Sequence, residues 1–224
     1  MRAISSFLQS VLGGFAIGIG GVVYLLQDNK ILGALLFSVG LFMVCTFGFN
    51  LFTGKVCYIF DNKPSYTLFT LTVWAGNLLG TAIVGMLLRV TRVSGLIETA
   101  QAVSQVKLND SLLSLFILAI FCNFLIHIAV DGFKNNPHEI GKYLGIVLCI
   151  MTFILCGFEH CVADMFYFTV AGAWSGQALL RIMVISLGNV VGGIVIPLCR
   201  KLKTYTGRSV GEEASGKTPV GSAK

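Results

Sequence analysis

Charge is what this sequence has least of. Only 26 of its 224 residues are Asp, Glu, Lys or Arg, which is 12%, where a soluble domain carries about 25%. With 55% apolar residues and a mean hydropathy of +0.84, a soluble fold is excluded, because a chain of this size would still have to cover its exterior with polar groups. Metal-site spacing is lacking too. Cys45, Cys57, Cys122, Cys149, Cys156, Cys161 and Cys199 form an odd set lying almost entirely in apolar runs, with no CxxC and no zinc-type histidine spacing. They read as small packing residues, and no metal or cofactor is implied. The net charge of +6 does not point to nucleic acid, since the basic residues sit at segment ends and in the tail, with no interleaved stacking platform. Six basic and two acidic residues fall in 200–224.

What is present is a series of long apolar runs. A run of about 20 residues crosses the hydrocarbon as a helix, which places spans near 7–26, 31–60, 66–90, 111–131, 140–173 and 177–199, with a long connection over 91–110. The first follows a single Arg and has no small-residue cleavage site, so it reads as a span and not as a removed leader. Six crossings put both termini on one side. That side holds Arg2, Lys63, Lys134, Lys142 and the six basic tail residues, against Lys30, Arg89, Arg92, Lys107 and Arg181 on the other. The excess predicts cytoplasmic termini and a chain in the cytoplasmic membrane. The organisation expected is one membrane domain over 1–199 and a basic, unstructured cytoplasmic tail over 200–224.

Runs 31–60 and 140–173 are too long to be plain helices, at about 45–50 Å against a core of roughly 30 Å. Each contains a Gly-Phe at its predicted break, Gly48-Phe49-Asn50-Leu51-Phe52-Thr53-Gly54 in the first and Gly157-Phe158-Glu159-His160-Cys161-Val162-Ala163-Asp164 in the second. Gly76-Asn77-Leu78-Leu79-Gly80 is echoed at almost the same interval by Gly188-Asn189-Val190-Val191-Gly192. These glycines read as close-packing positions. The chain is thus predicted to be an all-α membrane protein of six transmembrane helices in two inverted three-helix repeats, about 7–90 and 111–199, aquaporin-like, with the second and fifth helices broken. Paired broken helices in such repeats line a substrate path near the midplane.

The combination of LFTG at 51–54, GN at 76–77, Cys122-Asn123, GFEH with A-x-M over 157–165, and LGNxxGG at 187–193 resembles the formate/nitrite transporter family. The resemblance implies a homopentamer with one pore per protomer, passing small monovalent anions such as formate, nitrite or hydrosulfide, with the proton and the lipid bilayer as the other partners and no enzymatic reaction. It makes His160 the central pore histidine, which either donates a proton to the transiting anion or polarises it by hydrogen bonding, Lys107 a vestibule lysine, Asn123 a hydrogen-bond donor near the pore, Thr53 the hydroxyl facing the histidine, and Leu41, Leu51 and Phe153 apolar constrictions. Independently of the family, His160 is an ionisable group inside a span, which is costly and usually functional, and imidazole exchanges protons near neutral pH. An apolar ring opposes a bare anion more than its neutral acid.

Two positions depart from the family pattern: Asp164 stands where an Asn is usual, and Lys55 follows LFTG. The interval between them equals that between Gly48 and Gly157, which predicts pseudo-symmetric positions and a buried Lys55–Asp164 ion pair. Glu159 is expected to be a structural acceptor binding backbone or a cation, not a catalytic acid. Two other readings remain open at this point. One is a neutral-solute channel of the aquaporin type, although the Asn-Pro-Ala pair is lacking. The other is a redox subunit with His127 and His160 as axial haem ligands.

Overall fold

The computed structural model describes residues 2–214, with side chains described over 3–203. Among the described residues all regular structure is helical: α1 Arg2–Leu25, α2 Lys30–Phe47, α3 Phe52–Val56, α4 Ser65–Leu88, α5 Leu96–Asn109, α6 Leu112–Asn135, α7 Glu139–Leu155, α8 Cys161–Ala171 and α9 Gly176–Ala214, plus a 3-10 turn Ile59–Asp61. Five stretches are long and apolar enough to cross a membrane: Ala3–Leu25, Lys30–Phe47, Ser65–Leu88, Leu112–Asn135 and Gly176–Lys203. The run 140–173 is divided instead between α7 and α8. Large apolar side chains face outward along these helices, among them Leu71, Leu113 and Leu187, each more than half exposed. An exterior of that kind is stable only against lipid or another apolar surface. The tail expected to be unstructured from residue 200 is instead helical as far as Ala214, because α9 continues past the end of the apolar run at 199. Residues 215–224 lie outside the described residues.

Local chemistry sets the helix ends. Asn29 Oδ1 accepts from the amides of Ile31 and Leu32 at the start of α2, and Ser111 Oγ accepts from Ser114 N–H at the start of α6, each satisfying donors with no helical partner. At the two interior breaks the chain leaves the helix through a left-handed glycine, Gly48 at φ 70° and Gly157 at φ 67°, a conformation that costs an L side chain roughly 1–2 kcal/mol. The following phenylalanines close the same bond: Phe49 N–H reaches Val44 O at 3.0 Å and Phe158 N–H reaches Phe153 O at 2.9 Å. This is the wide cap of a Schellman-type ending, and it occurs at the matching place in both repeats.

Each repeat is tightened by its glycines. Gly76 and Gly80 of α4 lie against Ser10 and Val11 of α1, and Gly188 and Gly192 of α9 lie against Phe116 and Ile120 of α6, so that an added Cβ at any of the four would meet neighbouring atoms at less than 3 Å. They are packing positions, as expected for small residues that let helix backbones approach. The connection expected over 91–110 contains a helix of its own, α5. Its Leu96, Ala100, Ser104 and Lys107 are buried, and their spacing of four, four and three places them on one helical face, which packs on α8.

Candidate functional site

The breaks are held by two asparagines. Asn77 Oδ1 accepts from Phe52 N–H at 2.8 Å, and its Nδ2 donates to Asn50 O at 2.9 Å and Ser10 O at 2.6 Å. Asn189 does the same in the second repeat: Oδ1 accepts from Cys161 N–H at 3.0 Å, and Nδ2 donates to Glu159 O at 2.9 Å and Ala119 O at 2.8 Å. Both side chains are fully buried. Each amide thus satisfies a backbone donor and a backbone acceptor that the interrupted helix has released, which apolar surroundings would otherwise penalise.

Between the breaks the short helices α3 and α8 begin close together, and His160 stands at their junction. As N-cap of α8 its Nδ1 accepts from Ala163 N–H at 3.2 Å, while Nε2 lies 2.9 Å from Thr53 Oγ1. This network fixes the tautomer. An Nδ1 that accepts carries no proton, so the neutral ring has its proton on Nε2 and donates to the Thr53 hydroxyl oxygen. Thr53 is left with its own O–H to give. The Phe153 ring stacks on the imidazole with centroids 5.8 Å apart and planes 18° from parallel, and Phe37 meets Phe153 edge-on. Leu41 and Leu51 are buried, and Leu51 is the residue immediately before α3.

Next to the histidine lies a buried charge cluster. Lys107 Nζ is 2.5 Å from Glu159 Oε2 and 2.9 Å from Asp164 Oδ1, and Asp164 Oδ2 is buried without a hydrogen-bond partner. The Lys107 ammonium also lies 5.9 Å from the Tyr167 ring centroid, and Arg181 Nε donates to the Lys107 carbonyl at 3.0 Å. Glu159 accepts from a cation, the Lys107 ammonium. The cluster lines a cavity of about 330 Å³ together with Tyr24, Lys30, Phe153 and His160. Tyr24 and Lys30 belong to the end of α1 and the start of α2, so this cavity lies toward the side where α1 ends, the far side. A second cavity, about 120 Å³, lies toward the near side, where α1 begins and α6 ends, and is lined by Val44, Leu51, Lys55, Val130, Phe133 and Lys134.

The pairing predicted between Lys55 and Asp164 is not formed. Asp164 is bound to Lys107, and Lys55 lines the near-side cavity. The two positions are related by the repeat, but an inverted repeat sends α3 and α8 in opposite directions from their shared starting level, so residues at equal distances along them end at opposite depths. Asn123 is a donor to backbone carbonyls. Its Nδ2 donates to Thr53 O at 3.1 Å and Asn189 O at 2.6 Å, which commits both protons to backbone and leaves Oδ1 unpaired. It braces Thr53 and the α9 clamp. Both ring nitrogens of His160 are engaged, leaving none for an axial haem bond, while His127 sits beside Tyr58 with ring centroids 6.3 Å apart.

An all-helical, multi-pass membrane protein is therefore defined, with a polar line buried between two cavities on opposite sides. The family model for formate/nitrite transporters matches residues 1–200, and the chain belongs to that family. It is 35% identical to an uncharacterised transporter, YrhG, of Bacillus subtilis, over 75% of this chain and 68% of the relative. A probable formate transporter of Methanothermobacter thermautotrophicus is 30% identical over 79% of this chain and 75% of its own length. Among solved structures, a pentameric formate channel with formate bound aligns with a TM-score of 0.77 at 27% identity, covering 92% of this chain and 98% of that one.

Proposed function

We propose that this protein is a homopentameric channel, not an enzyme, that passes formate, nitrite, hydrosulfide or similar small monovalent anions across the cytoplasmic membrane through one pore in each protomer. The six crossings are α1, α2 with α3, α4, α6, α7 with α8, and α9, with both termini cytoplasmic. The observation that carries the reading is the His160–Thr53 contact at 2.9 Å, standing between a far-side cavity and a near-side cavity and walled by Phe153 and Leu51.

An anion entering from the far side meets Lys107 first, then loses water against Phe153, where a bare charge is costly and a hydrogen-bonded or protonated one less so. His160 then offers Nε2–H and Thr53 its O–H. Between the two roles open to the histidine, this geometry favours polarisation by hydrogen bonding over proton donation. A neutral imidazole has no proton to give up cheaply, and an imidazolium would need its second proton on Nδ1, where Ala163 N–H already points. Leu41 and Leu51 form the apolar constriction on the near side.

The test is stopped-flow flux into proteoliposomes of purified protein with formate, nitrite, hydrosulfide, water and glycerol in parallel. Saturable flux of at least one anion supports the reading. Water or glycerol flux without anion flux overturns it in favour of a neutral-solute channel.

A further inference from the structure

The near-side cavity has a feature that the far-side one lacks. On the far side the charged residues lining the cavity balance, Lys30 and Lys107 against Glu159 and Asp164. On the near side the charged lining residues are Lys55 and Lys134, both cationic. The carboxylates of this region are taken up elsewhere: Asp131, on the same helix as Lys134, pairs with Arg200 at 2.9 Å, and Asp61 pairs with Lys201 at 3.2 Å. Among the described residues neither Lys55 nor Lys134 has an ion-pair partner.

Their placement is built. Lys134 Nζ lies over the Tyr58 ring, 4.2 Å from its centroid, a cation–π contact that fixes the ammonium without neutralising it. Tyr66 Oη donates to the Lys55 carbonyl at 3.3 Å, tying the end of α3 to α4. Beside the same Tyr58, its own Oη and both ring nitrogens of the buried His127 have no hydrogen-bond partner, and buried polar groups of that kind are normally satisfied by water or a bound ion. Two uncompensated cations in a cavity with Val44, Leu51, Val130 and Phe133 as walls focus positive potential where solvent screening is weak.

We propose that Lys55 and Lys134 form an anion-binding site at the near-side mouth, which takes the same small monovalent anions as the pore and loads them onto the Leu51 constriction. The pair makes the channel asymmetric, since an anion approaching from the near side meets two unpaired ammonium groups and one approaching from the far side meets a lining whose charges balance. The near mouth therefore captures the anion itself and lowers the concentration that half-saturates flux from that side, leaving the equilibrium across the membrane unchanged. The site rests on the channel reading given above.

The experiment uses the full-length protein in cells without formate transport of their own, measuring the formate concentration for half-maximal flux separately for efflux from loaded cells and for uptake. Lys55→Gln with Lys134→Gln should raise that concentration about three- to tenfold in one direction only, efflux if the near side is cytoplasmic, whereas Lys55→Arg with Lys134→Arg should keep the wild-type value. An unchanged value in both directions, or an equal loss in both with the pentamer intact on size exclusion, overturns the site while leaving the channel reading in place. Absence of formate, nitrite and hydrosulfide flux in the wild type itself overturns both.

Discussion

Replacing Lys107 by Gln removes the cation from a cluster in which Glu159 and Asp164 are 4% and 1% exposed. Removing one partner of a buried ion pair typically costs about 3–5 kcal/mol, and here two carboxylates are stranded together. The cost has a ceiling, because an ordinary carboxyl can take up a proton at pH 7 for about 4 kcal/mol, at roughly 1.36 kcal/mol per pH unit. The penalty should therefore be about 3–4 kcal/mol at pH 7 and shrink by roughly 1.4 kcal/mol for each unit of acidification. At about 2–4 °C per kcal/mol for a chain of this length, Lys107→Gln should lower the midpoint for loss of the assembled protein by about 6–16 °C. Asp164→Asn leaves one ammonium facing one carboxylate, so its midpoint should stay within about 4 °C of wild type. The double variant should recover part of the Lys107→Gln loss, and the non-additivity measures the Lys107–Asp164 coupling. The assay is the size-exclusion peak of detergent-purified protein after heating, at pH 7 and pH 5. The reasoning is refuted if Lys107→Gln matches wild type at pH 7, if its loss does not shrink at pH 5, or if Asp164→Asn is as damaging as Lys107→Gln.

Other outcomes follow from single contacts. Asn189→Ala strands the Cys161 N–H and the Glu159 carbonyl of the break at about 1–3 kcal/mol each, while the Ala119 carbonyl keeps its bond within α6, so it should cost at least about 2 kcal/mol by the same heating assay, with Asn77→Ala of similar size. Gly157→Ala faces open space but a positive φ, and should cost only the roughly 1–2 kcal/mol of the left-handed conformation. Thr53→Val removes one hydrogen bond to the histidine, worth about 1 kcal/mol, and should slow formate flux roughly five- to tenfold, whereas Thr53→Ser should keep it.

The repeat is legible in the amino-acid sequence because both halves carry the same punctuation: Gly48 and Gly157 occupy corresponding positions, as do Asn77 and Asn189. What those asparagines do is harder to read. Their partners are backbone groups contributed by other helices, visible only once the chain is folded, though an amide in an apolar run is itself a signal that something needs satisfying. The stripe Leu96, Ala100, Ser104, Lys107 carries the period of α5, but at a polarity that lets the segment pass for a connection. The offset linking Lys55 to Asp164 is sound as arithmetic and misleading as geometry, since inversion separates in depth what it relates in sequence. His160 stands out for a physical reason, a titratable ring at the break of an apolar run. Asn123 is visible as a polar residue in a span, but its role is not, because both of its N–H protons are spent on Thr53 and Asn189 carbonyls.

The most direct measurement of the central claim is formate flux in proteoliposomes for wild type, His160→Asn and His160→Ala between pH 5 and pH 8. A hydrogen bond to a charged partner contributes about 1.5–3 kcal/mol, so His160→Ala should pass formate about 10- to 150-fold more slowly at every pH. His160→Asn, which retains both a capping acceptor and an N–H donor, should fall between the two. Flux in His160→Ala equal to wild type across the range would contradict the account.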